Sequence, residues 1–232
     1  MPETTTLKQV VVIGASRGIG AAVAQHFDAL DSYEVTSISR SEAVAGRWIS
    51  ADISTAAGID TVVNAVGNSV VDALLFMGGV WEENAFTDQY DFMSSSDAET
   101  RYVIAVNAIA PIELTKRLAK NLSKSSNARA IFIGSLSGIE NCASVEVANT
   151  ASKYSLRGAV QSLRRSLHPQ GVGLTVINPE NVATDEVLTD ISEGRFPPQV
   201  PIPLGDIISA IAWILSLSKA VDVGDINLYQ RE

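Results

Sequence analysis

The run Gln9-Val10-Val11-Val12-Ile13, followed by Gly14-Ala15-Ser16-Arg17-Gly18-Ile19-Gly20, decides how this chain folds. The first five residues read as a strand. From Gly18 to about Leu30, Ile19, Val23, Phe27 and Leu30 share one helical stripe, so a strand passes through a glycine turn directly into a helix. Outward from this unit the same alternation continues. Strands are expected at Glu34–Ser39, Trp48–Ala51, Val71–Phe76, Ala130–Ile133, Gly173–Ile177 and Ile226–Tyr229. Helices are expected from Ser54 as cap to about Val66, over Arg101–Leu122 and Val147–Leu167, and after Asp206 as the cap of the last. Strands alternating with helices predict an α/β fold: a doubly wound, Rossmann-type parallel sheet of about seven strands with helices on both faces. At 232 residues and 46% hydrophobic, one domain spanning 1–232 is expected.

Composition excludes several classes of function. A net charge of −9 argues against general binding to a phosphate backbone, so the expected partner is a small molecule and not a nucleic acid. Ile207–Leu217 is shorter than the ~20 apolar residues that span a bilayer and is interrupted by Ser209, which makes it a core helix and predicts no membrane partner. One cysteine, Cys142, forms no internal disulfide, and the polar start of the chain lacks an apolar signal core; a cytoplasmic protein is the expectation. No metal site is expected.

The glycine turn points to a ligand. Without Cβ atoms its backbone can take positive φ and approach a pyrophosphate, whose charge meets free N–H groups at the helix start. Ser39-Arg40 closes the second strand where an acidic residue would otherwise accept from an adenine ribose hydroxyl. A carboxylate there would repel a 2′-phosphate, whereas Arg40, helped by Arg17, offers forked donors to it, so NADP(H) is the expected cofactor. Asp52-Ile53, after the third strand, can border the adenine.

These residues resemble the short-chain dehydrogenase/reductase family from Val10 to Leu228. The turn matches its TGxxxGxG motif with Ile13 in place of Thr, and Asn107, Ser135 and Lys153 match three of its four catalytic residues. The resemblance implies cofactor contacts from Gly14, Ser16, Arg17, Gly18, Ile19, Gly20, Arg40, Asp52, Ile53, Gly78, Gly79, Lys153, Pro179 and Thr184. It also implies roles: serine holds the substrate oxygen, tyrosine moves the proton, lysine lowers the tyrosine pKa and binds ribose, and asparagine anchors a relay water. A homodimer or homotetramer built through the two long helices is implied as well.

The tyrosine is missing. The family's YxxxK places it at position 149, where this chain has Asn149. Tyr154 is no substitute, because one residue past Lys153 it points about 100° further round the helix. Asn64-Ala65-Val66-Gly67 mimics the family's NNAG, but counting through a normal helix after Asp52 puts that motif at Phe76-Met77-Gly78-Gly79. Glu180, replacing the glycine after Pro179, is a candidate displaced acid or a solvent-facing loop residue. His26 and His168 are read as structural, and Cys142 as a small buried residue. The expected activity is NADP(H)-dependent oxidoreduction of a small carbonyl, imine or enone with an altered proton-transfer step. The alternative is a catalytically silent NADP(H)-binding pseudoenzyme acting as a regulator or subunit.

Overall fold

The computed structural model describes residues 7–231. Seven strands form one sheet in the order β3-β2-β1-β4-β5-β6-β7, and every neighbouring pair is parallel. The strands are β1 (Lys8–Ile13), β2 (Tyr33–Ser39), β3 (Arg47–Ser50), β4 (Ala73–Phe76), β5 (Arg129–Ile133), β6 (Gly173–Pro179) and β7 (Asp225–Leu228). The helices are α1 (Gly18–Asp28), α2 (Ala56–Val66), α3 (Asp97–Ile104), α4 (Ala110–Leu122), α5 (Val147–Leu167), α6 (Asp185–Ser192) and α7 (Leu204–Ser216). No helix among the described residues is long and apolar enough to cross a membrane.

Side chains along β1 alternate between two cores. Val11 and Ile13 join Leu74, Phe76, Leu114, Leu118, Phe132 and Val160 beneath α2, α4 and α5. Val10 and Val12 join Phe27, Leu75, Ile131, Ile207, Ile211 and Ile214 beneath α1 and α7. Both faces are dry, which is why the strands read as continuous apolar runs instead of alternating ones.

The structure corrects several local expectations. Thr55, not Ser54, caps α2 by accepting from the Gly58 N–H, because Ser54 is engaged by the Asp52 carboxylate. Pro203 precedes α7, and Asp206 lies inside its first turn. The long helix begins earlier, at Asp97 with Ser96 as its cap, and is interrupted by one widened turn over Ala105–Ile109. Pro111 has no N–H to offer the carbonyl at Asn107, and the Ala110 N–H bonds back to the Ala105 carbonyl instead. The stretch 185–203 contains α6, capped by Thr184.

One buried side chain ties the far end of the sheet together. Arg129, only 3% exposed, donates to the carbonyls of Val221 and Ser218 at 2.8 Å and of Leu217 at 3.3 Å, and faces Asp222 at 3.9 Å. It joins β5 to the α7–β7 connection. Leu217 also accepts from Asn127 Nδ2 and Ser218 from the Val221 N–H, so Arg129→Met leaves only the Val221 carbonyl without a donor while removing two further bonds, and urea unfolding should show a loss of about 2 kcal/mol. A change below about 0.5 kcal/mol, the size of an ordinary surface substitution, would contradict this role.

Candidate active site

A close backbone approach opens the cleft. Gly14 follows β1 with φ +84°, and a Cβ on it would stand 2.4 Å from the Gly78 Cα after β4. At Gly20 a Cβ would meet the Gly14 carbonyl oxygen at 2.0 Å, so Gly20 does not line the cleft but lets α1 start against the turn. Arg17, before α1, makes no side-chain cap, and no acidic residue occupies the helix's first turn. The free N–H groups at Gly18 and Ile19 therefore face a cleft of about 190 Å³ at the C-terminal ends of the strands.

Ser16, Arg17, Gly18 and Ile19 line one side of this cleft; Asp52, Ile53, Gly78, Gly79 and Thr184 also border it. The Asp52 carboxylate accepts from the Ser54 N–H at 3.0 Å and hydroxyl at 2.7 Å, so one oxygen is already used by the loop. Arg40 donates to the Tyr102 hydroxyl at 2.7 Å, with its guanidinium 5.9 Å from the ring centre. Both line the cleft. Arg17 pairs across the mouth with Glu186 of α6 at 4.0 Å, and both are substantially exposed.

Asn107 and Lys153 come together behind Gly79, which lines the cleft; neither they nor Ser135 and Asn149 line it themselves. Asn107, in the widened turn, is 2% exposed; its Nδ2 donates to the Val80 carbonyl at 2.7 Å and the Ser152 hydroxyl at 3.0 Å, while its Oδ1 accepts from the Val80 N–H at 2.9 Å. A Cβ on Gly79 would lie 3.4 Å from Lys153 Nζ and 3.6 Å from Asn107 Oδ1. Lys153 Nζ donates to the Ile133 carbonyl at 3.3 Å, two residues before Ser135. Lys153 is half-buried, and desolvation of its ammonium lowers its pKa to about 8. Ser135 caps a short turn by accepting from the Ser137 N–H and hydroxyl.

Asn149 is 3% exposed, and its side-chain amide has no hydrogen-bond partner among the described residues. Its backbone N–H is held by Glu82, a buried carboxylate that accepts from Ala148 N–H at 2.6 Å and from Asn149 N–H at 3.1–3.2 Å. Glu82 therefore fixes the start of α5, since a carboxylate at a helix N-terminus satisfies orphan donors and opposes the dipole. Sequence reasoning missed Glu82 and Tyr102. Neither sits in a motif, and both act through contacts with distant segments.

Other candidates fall elsewhere. Glu180 is exposed and its carboxylate accepts from the Gln230 N–H at 2.6 Å, outside the cleft lining. Pro179 is buried at the end of β6. Tyr154 donates to the Ile139 carbonyl at the surface. Cys142 is exposed, not buried as expected, because the turn around Asn141, with φ +64°, carries it outward. His26 packs edge-on against Phe27, and His168 is exposed beyond α5. Among the described residues no group of three or more His, Cys, Asp or Glu is placed to hold a metal.

A family model described as short chain dehydrogenase matches residues 8–193. This chain belongs to the short chain dehydrogenase family. It is 28% identical over 236 aligned positions to the 3-oxoacyl-(acyl-carrier-protein) reductase FabG of Escherichia coli (strain K12), covering 94% of this chain and 93% of that protein. It is 27% identical over 186 positions to the cyclic-di-GMP-binding biofilm dispersal mediator protein of the same strain, covering 78% and 75% respectively. Among solved structures, BdcA in complex with NADPH shares the fold at TM-score 0.79 and 20% identity, covering 97% of this chain and 94% of that one. A short chain dehydrogenase family protein from Francisella tularensis does so at TM-score 0.81 and 20% identity, covering 97% and 98%.

The depressed lysine pKa of this short chain dehydrogenase has a consequence for stability. Because the folded value, about 8, lies below the ordinary 10.5, the unfolded chain binds more protons between these values, and stability rises with pH across that window. Below about pH 8 the buried ammonium costs stability. Urea unfolding of the parent and Lys153→Met at pH 7.5 and 9.5 should show the parent gaining on the variant at the higher pH; a constant difference would place the ammonium in solvent.

Proposed function

We propose that this chain is an NADP(H)-dependent oxidoreductase acting on a small carbonyl, imine or enone, with a proton-transfer step altered by Asn149. The single observation that carries the reading is the cleft itself: a glycine cradle in which a Cβ on Gly14 would strike Gly78, with Arg40 at one end and Gly79, against Lys153 Nζ and Asn107 Oδ1, at the other. A nicotinamide dinucleotide held there supplies hydride transfer.

The chain's residues divide the remaining work. The Gly14–Gly20 backbone and the start of α1 bind pyrophosphate. Arg40 keeps further N–H donors free, and the Tyr102 hydroxyl, whose oxygen already accepts from Arg40, can donate its own proton to a 2′-phosphate. Lys153 holds ribose hydroxyls. Asn107 anchors the Gly79-Val80 backbone to α5, and Ser135 with Asn149 offers donors to a substrate oxygen on which negative charge develops. An amide donates a hydrogen bond but delivers no proton at neutral pH, so substrates that need none at the transfer step are favoured.

The same substitution supports a second reading, a catalytically silent NADP(H)-binding regulator or subunit, and a relative named for binding rather than catalysis stands beside the reductases. For either reading we propose a cytoplasmic homo-oligomer joined through α4 and α5, where Ile112 and Tyr154 are exposed.

NADPH should bind at least about tenfold more tightly than NADH, and Arg40→Ala should remove that preference; equal affinities in the parent would refute the 2′-phosphate assignment. Asn149→Tyr should raise reduction of simple ketones at least about tenfold, since a positioned acid contributes roughly 10²–10⁴ in rate. No gain on any ketone while NADPH remains bound favours the silent reading.

A further inference from the structure

An aromatic array leads out of the cleft at the Lys153 end. Trp81 lines the cleft two residues beyond Gly79, and is 42% exposed. Its ring meets Phe86 edge-on at 5.9 Å, and Phe86 meets Phe196 at 6.4 Å and 87°. Phe196 arrives from the other lip. Its N–H bonds to the Asp190 carbonyl, which turns the chain after α6 back toward Phe86. The array therefore spans the loop after β4 and the segment after α6.

Phe86 is held in a costly conformation. Its φ of +65° is left-handed, a region that bulky residues avoid, and the preceding turn at Asn84 has φ +55°. The Phe86 N–H is pinned at 2.7 Å by Glu146 Oε1, a carboxylate only 2% exposed. The core gains little from this, because the ring remains 38% exposed. Strain retained around a half-exposed aromatic ring beside a cleft is a feature of ligand sites rather than of packing.

We infer that Trp81 and Phe86, the latter backed by the buried Phe196, form a substrate subsite for a flat, ring-bearing apolar body, whose carbonyl or conjugated group reaches toward Ser135 and Asn149. The inference rests on reading the cleft as the nicotinamide site. It commits to rings because the exposed faces of Trp81 and Phe86 are rigid, planar and already arranged edge to face. A fused ring system can add to such an array by stacking or edge contact, whereas a linear chain would leave much of each face wet and lose more rotational freedom on binding.

Binding, not turnover, tests this. Calorimetric titration with 2-tetralone and with 2-decanone, ketones of equal carbon number, should give the bicyclic ligand at least about tenfold lower Kd. In a Trp48→Phe/Trp213→Phe variant Trp81 is the sole tryptophan, and 2-tetralone should change its emission. Phe86→Gly removes the ring and relieves the left-handed φ, so the folded state should persist while 2-tetralone affinity falls at least about tenfold and NADPH affinity stays unchanged. Phe86→Leu keeps apolar bulk without the ring and should lose affinity similarly. Equal Kd for the two ketones, unchanged 2-tetralone binding in Phe86→Gly, or full retention in Phe86→Leu would each overturn the aromatic subsite. If 2-tetralone binds as expected but NADPH does not bind the parent, the subsite stands and the cofactor reading falls; NADPH binding without discrimination between ketones gives the reverse.

Discussion

The contact between Gly14 and Gly78 is the constraint on which the rest of the molecule depends. β1 and β4 lie side by side, yet β2 and β3 continue the sheet to one side of them and β5, β6 and β7 to the other. A crevice opens where the order reverses. The two strands reach it so close together that no side chain fits between their ends. Everything useful follows from this approach: α1 starts at the crevice, Gly79 lies against Lys153, and Val80 is clamped by Asn107. The widened turn before Pro111 carries Asn107.

Charge is arranged along the crevice despite the acidic chain. Arg40 and Arg17 border one end, the free N–H groups of α1 the middle, and the Lys153 ammonium the other. The acidic groups nearby are committed elsewhere. Glu82 is spent on the start of α5, one Asp52 oxygen on the loop before α2, and Glu186 on Arg17. This arrangement suits an anionic, phosphate-bearing ligand, and beyond Gly79 the cleft is bordered by Trp81, packed edge-on against Phe86.

How much of this was legible in the sequence depends on how local each signal is. The glycine turn, the seven strands and the placement of Gly78-Gly79 by counting through a helix could all be read, because each is a matter of spacing along the chain. Asn64-Ala65-Val66-Gly67 indeed ends α2, with Gly67 at φ +56°. The spacing likewise puts Asn149 one turn before Lys153, and both lie on α5. Glu82, Tyr102 and the Phe86–Phe196 contact were not legible, since their partners lie at Asn149, Arg40 and across the cleft. Caps failed where two candidates competed: Ser54 and Thr55 are both good capping residues, and only the Asp52 contact decides between them. Cys142 was misjudged because burial of a small residue in a turn depends on which way the turn faces.

The most direct measurement is a crystal structure of the protein with NADPH. The adenosine 2′-phosphate should lie within about 3.5 Å of Arg40 and Tyr102, the pyrophosphate over the Gly14–Gly20 backbone, and the nicotinamide at the Lys153 end with its C4 facing the space between Asn149 and Trp81. A dinucleotide bound in the opposite direction, or one whose 2′-phosphate lies in solvent away from Arg40, would contradict this placement.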